Sequence, residues 1–337
     1  MKRVTIGLIV LGTVCGTVCA DAVQVTHRRL QAVDAEGNSR FADPGAAIRV
    51  EGILLNCPEQ WLDPTPDPTV APWYMGGQWQ VFVQGEGDDH AGTACWMGQN
   101  YANGPGDESY TNDEWLGELA RLNHDPNTGY VFRPGDRVRV IGHFLPYGGK
   151  VNINEAHSTD PDLDFRIELV KPAAGLPQPE PIHLSDLKDD RDAVIFDADR
   201  LSGPEYYQGC LVRLEDVTIE DPNAWGPGQT VTVTDGRGRT FPLALCLGTG
   251  FSRHACPAGR IDVIGIVNQE ASGWPQDLRT GYSLLVMDYD GNGLVLGTMT
   301  QQRGNLPGDV NGDYRVDDED MDELMDHWLD SVPGLAQ

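Results

Sequence analysis

Basic residues are scarce in this 337-residue chain: 24 Lys and Arg stand against 51 Asp and Glu, a formal net charge of −27. A surface of that sign repels phosphate backbones, so strong nonspecific nucleic-acid binding is excluded unless basic groups cluster. Long hydrophobic runs are absent beyond the N-terminus. The stretch Val4 to Val18 follows Lys2-Arg3 and leads into Cys19-Ala20. It is shorter than the ~20 apolar residues a membrane span needs, so no stable membrane insertion is expected. A basic start, a short apolar core and small exit residues read instead as a secretory signal over residues 1–20, and hence as a secreted, extracellular protein. Common catalytic signatures are absent too: there is no H-E-x-x-H, G-x-S-x-G, Walker loop or dinucleotide fingerprint. A non-catalytic role is the expectation.

Cysteines are few. Beyond the leader there remain Cys57, Cys95, Cys210, Cys246 and Cys256. None has zinc-finger spacing, which argues against a cysteine zinc site. Export makes disulfides permissible, and Cys57 with Cys95 plus two of the later three would keep bridges local, but spacing does not fix the connectivity.

What is abundant is Gly (40) and Pro (23) beside an ordinary apolar content, which predicts a turn-rich, mainly β chain. Ile48 to Leu55, Trp79 to Gln84 and Asp136 to His143 read as strands. Pro146-Tyr147-Gly148-Gly149-Lys150 reads as a hairpin turn into Val151–Asn154. Thr111-Asn112-Asp113-Glu114, followed by Trp115, Leu116, Leu119 and Leu122, predicts a capped amphipathic helix.

Two segments recur. Val212-Arg213-Leu214-Glu215 answers Ile48-Arg49-Val50-Glu51, and Pro257 to Gly265 answers Pro134 to Gly142 with five of nine positions identical. Two matches in the same order predict an internal duplication. The expected organisation is a first domain over residues 22–171 with a long insertion, a proline-rich linker over 172–186, and a second domain over 187–298. A strand ending in Glu-Gly, then Pro134-Gly135-Asp136-Arg137-Val138-Arg139-Val140-Ile141-Gly142, then Tyr147-Gly148-Gly149 is similar to small OB-fold barrels. Tyr206 to Leu214 with Val217-Thr218-Ile219 resembles the OB modules that accompany bacterial extracellular nucleases. The resemblance implies two tandem OB-like barrels, a fold whose members bind oligonucleotides or oligosaccharides on one face.

The long excursion of the first module gathers Asp88, Asp89, His90, Cys95, Trp96, Asn100, Tyr101, Tyr110, Trp115, His124 and Asp125. Trp96, Tyr101 and Trp115 are its candidate ligand-stacking residues; the competing reading is that the tryptophans pack the excursion onto the barrel. Asp160-Pro161-Asp162-Leu163-Asp164 could hold a cation but reads better as a polar turn. Lys150, Arg213, Arg237 and Arg239 are the basic residues best placed for an anion, but they read better as ordinary surface charge balance.

The C-terminal stretch carries the most specific motif. From Asp309 as position 1, oxygens fall at Asp309, Asn311, Asp313, the carbonyl of Arg315, Asp317 and Asp320, the spacing of a twelve-residue calcium loop. Met321, Leu324, Met325, Trp328 and Leu329 then share one helical face. From Asp309 to Asp330 ten carboxylates face one arginine, so the segment needs a cation to fold. With Asp at position 12, Tyr314 at position 6 and no entering helix, residues 305–330 resemble one type I dockerin repeat, where a dockerin has two. The resemblance implies Ca2+ as cofactor and a protein partner for the tail. The expectation is a secreted, non-catalytic binding and assembly protein. The alternatives are a nucleic-acid-binding accessory of an extracellular nuclease system and a polysaccharide-binding or polysaccharide-degrading protein.

Overall fold

A computed structural model describes residues 22–42, 46–56, 78–99, 109–155, 158–161, 163–248, 250–289 and 299–300. The protein is mainly β, with two sheets that follow one another along the chain. The N-terminal sheet contains β1 (Val23–Gln24), β2 (Ile48–Leu54), β3 (Gln78–Gln84), β4 (Gly92–Gly98), β5 (Arg137–Gly142), β6 (Phe144–Tyr147), β7 (Lys150–Asn154) and β8 (Arg166–Lys171). Its strands run in the order β6-β7-β4-β3-β2-β5-β8, with β1 paired to β2. Only His143 separates β5 from β6, so the two are successive lengths of one interrupted strand. Alternation drives the packing: Ile48 and Val50 are buried in the core while Arg49 and Glu51, which alternate with them, face outward. Glu51 there meets Arg139 at 2.7 Å, and Arg139 reaches Glu168 at 3.5 Å, a cross-strand charge ladder over β2, β5 and β8.

The C-terminal sheet contains β9 (Glu180–Ile182), β10 (Leu211–Ile219), β11 (Thr230–Thr234), β12 (Thr240–Leu245), β13 (Ile261–Gln269), β14 (Tyr282–Val286) and β15 (Met299–Thr300). β10 pairs β11, β11 pairs β12, β12 pairs β14 in parallel, β14 pairs β13, and β13 returns to β10. The ring is a closed five-stranded barrel, compatible with the OB-like expectation. Its interior is filled from alternate positions, among them Val212, Leu214, Val231, Val233, Phe241, Leu243, Val263, Val267, Leu284 and Val286.

The repeated sequences meet each other in matching register. Ile48 lies opposite Gly142, Arg49 opposite Ile141 and Val50 opposite Val140. Val212 likewise lies opposite Gly265, Arg213 opposite Ile264 and Leu214 opposite Val263. The correspondence extends beyond the segments that share sequence identity. β1 runs parallel to β2 with Val23 opposite Ile48, and β9 runs parallel to β10 with Glu180 opposite Val212. Each is followed by a one-turn helix, α1 (His27–Leu30) in the N-terminal half and later α3 (Leu184–Leu187). An aspartate-centred turn comes next: Asp34 accepts from the N–H groups of Glu36 and Asn38, and Asp189 from those of Arg191 and Ala193. Residues 172–186 are therefore more than a linker, since they supply β9 and open α3.

The insertion also differs from a bare loop. It contributes β4 to the sheet and then α2 (Asn112–Leu122), whose Thr111–Glu114 capping box forms as expected. Trp115, Leu119 and Leu122 on that helix close one end of the N-terminal core, while Leu116 is 49% exposed. The Gly148-Gly149 turn joins β6 to β7 with both residues at positive φ, 57° and 97°, as a two-residue hairpin of that twist requires. Cys95, Cys210, Cys246 and Cys256 are free thiols, and Cys57 lies outside the described residues. Cys95 and Cys246 serve as small apolar core groups.

Candidate functional site

In the N-terminal sheet the second and third strands of the repeat unit are β3 and β4, the face that OB-type barrels offer to ligands. Its outward residues are buried. Phe82 on β3 lies opposite Ala94 on β4, and the two are 1% and 3% exposed. With Leu55 they join Leu211, Cys246, Ile264, Ile266, Leu285 and Met287 of the C-terminal barrel in one apolar cluster. The contributions alternate correctly: Val263, Val267, Leu284 and Val286 point into the barrel, while Ile264, Ile266, Leu285 and Met287 point into this seam. Fully burying a Leu, Ile or Phe side chain contributes about 1.5–3 kcal/mol, so the cluster is the main source of adhesion between the halves.

Hydrogen bonds set the alignment of the seam. The Gln84 amide oxygen accepts from Leu211 N–H at 2.9 Å, Gly92 N–H donates to Gln208 O at 2.9 Å, and Ala271 N–H donates to Gly148 O at 2.8 Å. The strands approach closely enough that a Cβ on Gly92 would lie 1.9 Å from Gly209 O, so only glycine fits there. Lys150, 4% exposed, donates across the seam to Asn268 at 2.7 Å and to Glu270 at 2.8 Å. Burial pushes the Lys150 pKa down, and the Glu270 carboxylate opposes that shift. Because desolvation offsets the attraction in such pairs, this one fixes register more than it adds stability.

A second polar network lies beside it. Arg200 donates through one Nη to Gln31 O at 3.1 Å, Glu205 at 3.0 Å and Gln208 at 3.1 Å. Glu205 is fully buried, and it also accepts from the Tyr282 hydroxyl at 2.5 Å. His27 is wholly buried as well, with Nδ1 2.8 Å from Thr93 Oγ1 and Nε2 3.2 Å from Glu51 O. Burial lowers its pKa against the pull of Asp89, so the ring is held neutral, donating from Nε2 and accepting at Nδ1. His90 bridges the halves: its ring stacks on Tyr206 at 4.2 Å, and its nitrogens face Tyr206 O at 3.1 Å and Glu180 at 2.9 Å. These titratable groups hold one another rather than lining an open cleft.

The residues singled out in the insertion do not converge on one site. Asp89 accepts from the backbone N–H groups of His27 and Arg28 at the start of α1, and His90 belongs to the seam. An open depression of about 460 Å³ beside Asp89 is lined by Thr26, Arg28, Arg29, Glu86 and Asp88, with charges of both signs. Trp115 is 1% exposed and packs within 6.0 Å of Tyr110, so it offers no ring face to a ligand; packing is its role. Trp96 is partly buried against the same core. Asp125 is buried and accepts from Thr128 and from Leu169 N–H, and His124 is turned back onto Ala120 O. Tyr101 and Asn100 lie outside the described residues. Three of the four basic candidates have partners: Arg213 pairs with Glu215, Arg239 with Asp235 and Asp190, and Lys150 with Glu270. Asp160 to Asp164 includes a tight turn in which Leu163 N–H donates to Asp160 O. Among the described residues no group of three or more His, Cys, Asp or Glu could hold a metal. The calcium-loop residues Asp309, Asn311, Asp313, Arg315, Asp317 and Asp320 lie outside the described residues.

The corresponding strands of the C-terminal barrel are more open. Outward positions on β11 and β12 are Thr230, Thr232, Thr234, Thr240 and Pro242, all exposed or partly so, above an interior of Val231, Val233, Phe241 and Leu243. The loop from β13 to β14 carries Trp274, which is 96% exposed. It is not among the candidates that the sequence suggests, although an isolated Gly-Trp-Pro in turn material between two strands is a visible signal. No helix among the described residues is long and apolar enough to cross a membrane. No protein-family model matches the chain, and no curated protein matches it.

Proposed function

We propose that the chain is a secreted, non-catalytic binding and assembly protein. In this reading two OB-like modules, residues 22–171 and 187–298, form a single body, and residues 305–330 form a calcium-stabilised attachment element. The observation that carries it is the burial of Phe82 and Ala94 beneath the second barrel. The first module's β3–β4 face serves as an internal joint, so ligand or partner contacts fall to the second module and the tail. Of the seam's buried ionisable groups, Lys150 is held by Asn268 and Glu270, His27 by Thr93 and the Glu51 carbonyl, and Glu205 by Arg200 and Tyr282, which supports a structural role for them. The calcium element rests on the spacing of Asp309, Asn311, Asp313, Asp317 and Asp320, with the Arg315 carbonyl completing the set.

The nucleic-acid alternative is opposed by the net charge of −27 and by the pairing of Arg213 and Arg239 with acidic neighbours. The polysaccharide alternative is favoured by one observation, the exposed ring of Trp274. The deciding experiment is fluorescence anisotropy of a labelled single-stranded oligonucleotide against the full chain, in calcium, over a salt series. A flat signal at low salt supports the proposal. Saturable binding that weakens steeply with salt overturns it in favour of the nucleic-acid accessory.

A further inference from the structure

The loop from Glu270 to Gly281 is long, yet its own contacts brace it. The Gln269 side chain donates to Leu278 O at 2.7 Å and Thr280 O at 3.1 Å. Gln276 donates to Ala271 O at 3.0 Å, and Thr280 Oγ1 donates to Asp277 O at 2.8 Å. The base of the loop is pinned to the first half by Ala271 N–H on Gly148 O, and its far side presses on Gly37, where a Cβ would lie 2.6 Å from Leu278 O. On this frame Trp274 projects with 96% of its surface in solvent. Tyr147, 53% exposed, immediately precedes the Gly148 that Ala271 contacts. The hairpin turns of β6–β7 and β13–β14 thus meet at the seam, and each contributes an exposed aromatic ring.

The charges around these rings are matched in sign. Arg279 pairs with Asp277 at 2.8 Å within the loop, and Glu270 pairs with Lys150 at 2.8 Å. A polyanion therefore finds no free cation among these residues, and a polycation no free carboxylate. What remains is two exposed aromatic rings on turns whose charged residues are internally paired. That combination suits a molecule with both C–H faces and hydroxyls and without net charge, which is the chemistry of a neutral sugar polymer.

We propose that Trp274, with Tyr147 on the turn that its loop contacts, is a stacking platform for a neutral polysaccharide. This deepens the binding role proposed above and rests on it. The test is native affinity electrophoresis of the full chain in gels containing a mixed-linkage β-glucan, a galactomannan, an arabinoxylan or the polyanion polygalacturonate. Retardation by a neutral polymer is expected. Trp274→Ala should weaken it on the order of tenfold or more, as for loss of a stacked ring, and Tyr147→Ala should weaken it less. The melting temperature should hold in Trp274→Ala, whose ring is in solvent, and shift little in Tyr147→Ala, whose ring is half exposed.

Retardation by a neutral polymer that Trp274→Ala leaves intact would overturn the platform while leaving a binding function in place. Retardation by polygalacturonate alone would overturn the choice of a neutral ligand. No retardation in any gel would overturn the polysaccharide assignment, and the tail's calcium response and the oligonucleotide titration would then judge the wider reading separately.

Discussion

Glu155, at the end of β7, is an acid that the fold holds in its neutral form. It is fully buried, with no cation paired to its carboxyl among the described residues. Burial pushes its pKa up from the ordinary 4.5 to about 8, with Asp164 nearby adding to the shift and the N–H groups of Glu155 and Gly98 opposing it. Asp164 is itself raised to about 6 by burial, against the pull of Arg121 at 3.7 Å. The unfolded chain ionises Glu155 above pH 4.5 while the folded chain keeps it protonated, so the native state binds more protons across that interval. Stability from this group is present below pH 4.5, declines as pH rises, and is fully lost once pH passes about 8. Each unit corresponds to about 1.4 kcal/mol, so the penalty approaches ~3 kcal/mol at neutral pH and ~5 kcal/mol above pH 8.

Glu155→Gln keeps the shape and removes the ionisation. Urea denaturation of both proteins at half-unit steps from pH 4.5 to 8.5 should show the variant gaining on the wild type as pH rises, with the difference levelling above about pH 8. Any cost of the amide itself is independent of pH and only offsets the curve. Parallel stability profiles for the two proteins would refute the assignment of a buried, neutral Glu155.

Gly92→Ala places a Cβ against Gly209 O and should cost about 3 kcal/mol. Scanning calorimetry should then resolve two transitions where the wild type shows one, because the substitution wedges the seam rather than either core. Lys150→Ala and Glu270→Ala, compared with the double variant, should give a coupling energy of about 1–2 kcal/mol, modest because the Glu270 side chain is half exposed. Asp309→Ala combined with Asp320→Ala should abolish the gain in helical circular dichroism on adding calcium and leave the melting of the two sheets unchanged. A calcium-induced helix that survived both changes would remove those ligands from the site.

Local chemistry in the sequence was legible where a short segment dictates its own conformation. Thr111 with Glu114 marks a capping box, and Gly148-Gly149 marks a two-residue turn, because each needs only its neighbours. The Arg-containing repeats stood out because their residues pair with each other and keep the same alternation. β4 did not read as a strand. Its residues Gly92 to Gly98 are small or apolar and buried on both faces, so no polar alternation marks it. β1 and β9 are too short to carry a period. Pro181 gives β9 the character of a linker in sequence, although a parallel edge position leaves its missing N–H harmless.

The seam was illegible for a different reason. Phe82, Ile264 and Leu285 resemble ordinary alternation errors on strands with one solvent face, and only the packing of the N-terminal sheet against the C-terminal barrel explains them. Lys150 read as surface charge balance or else an anion contact, not as a buried seam residue, because its partners, Asn268 and Glu270, lie more than a hundred residues away in sequence.

Hydrogen exchange followed by mass spectrometry addresses the covered β3–β4 face directly. Peptides spanning Val81–Gln84, Gly92–Ala94 and Leu211 should exchange as slowly as the barrel interior around Val212 and Leu214, and Gly92→Ala should accelerate them selectively. Rapid exchange at Leu211 and Gly92 in the wild type, with the interiors still protected, would mean that the halves do not share this seam and that the face is open to ligands.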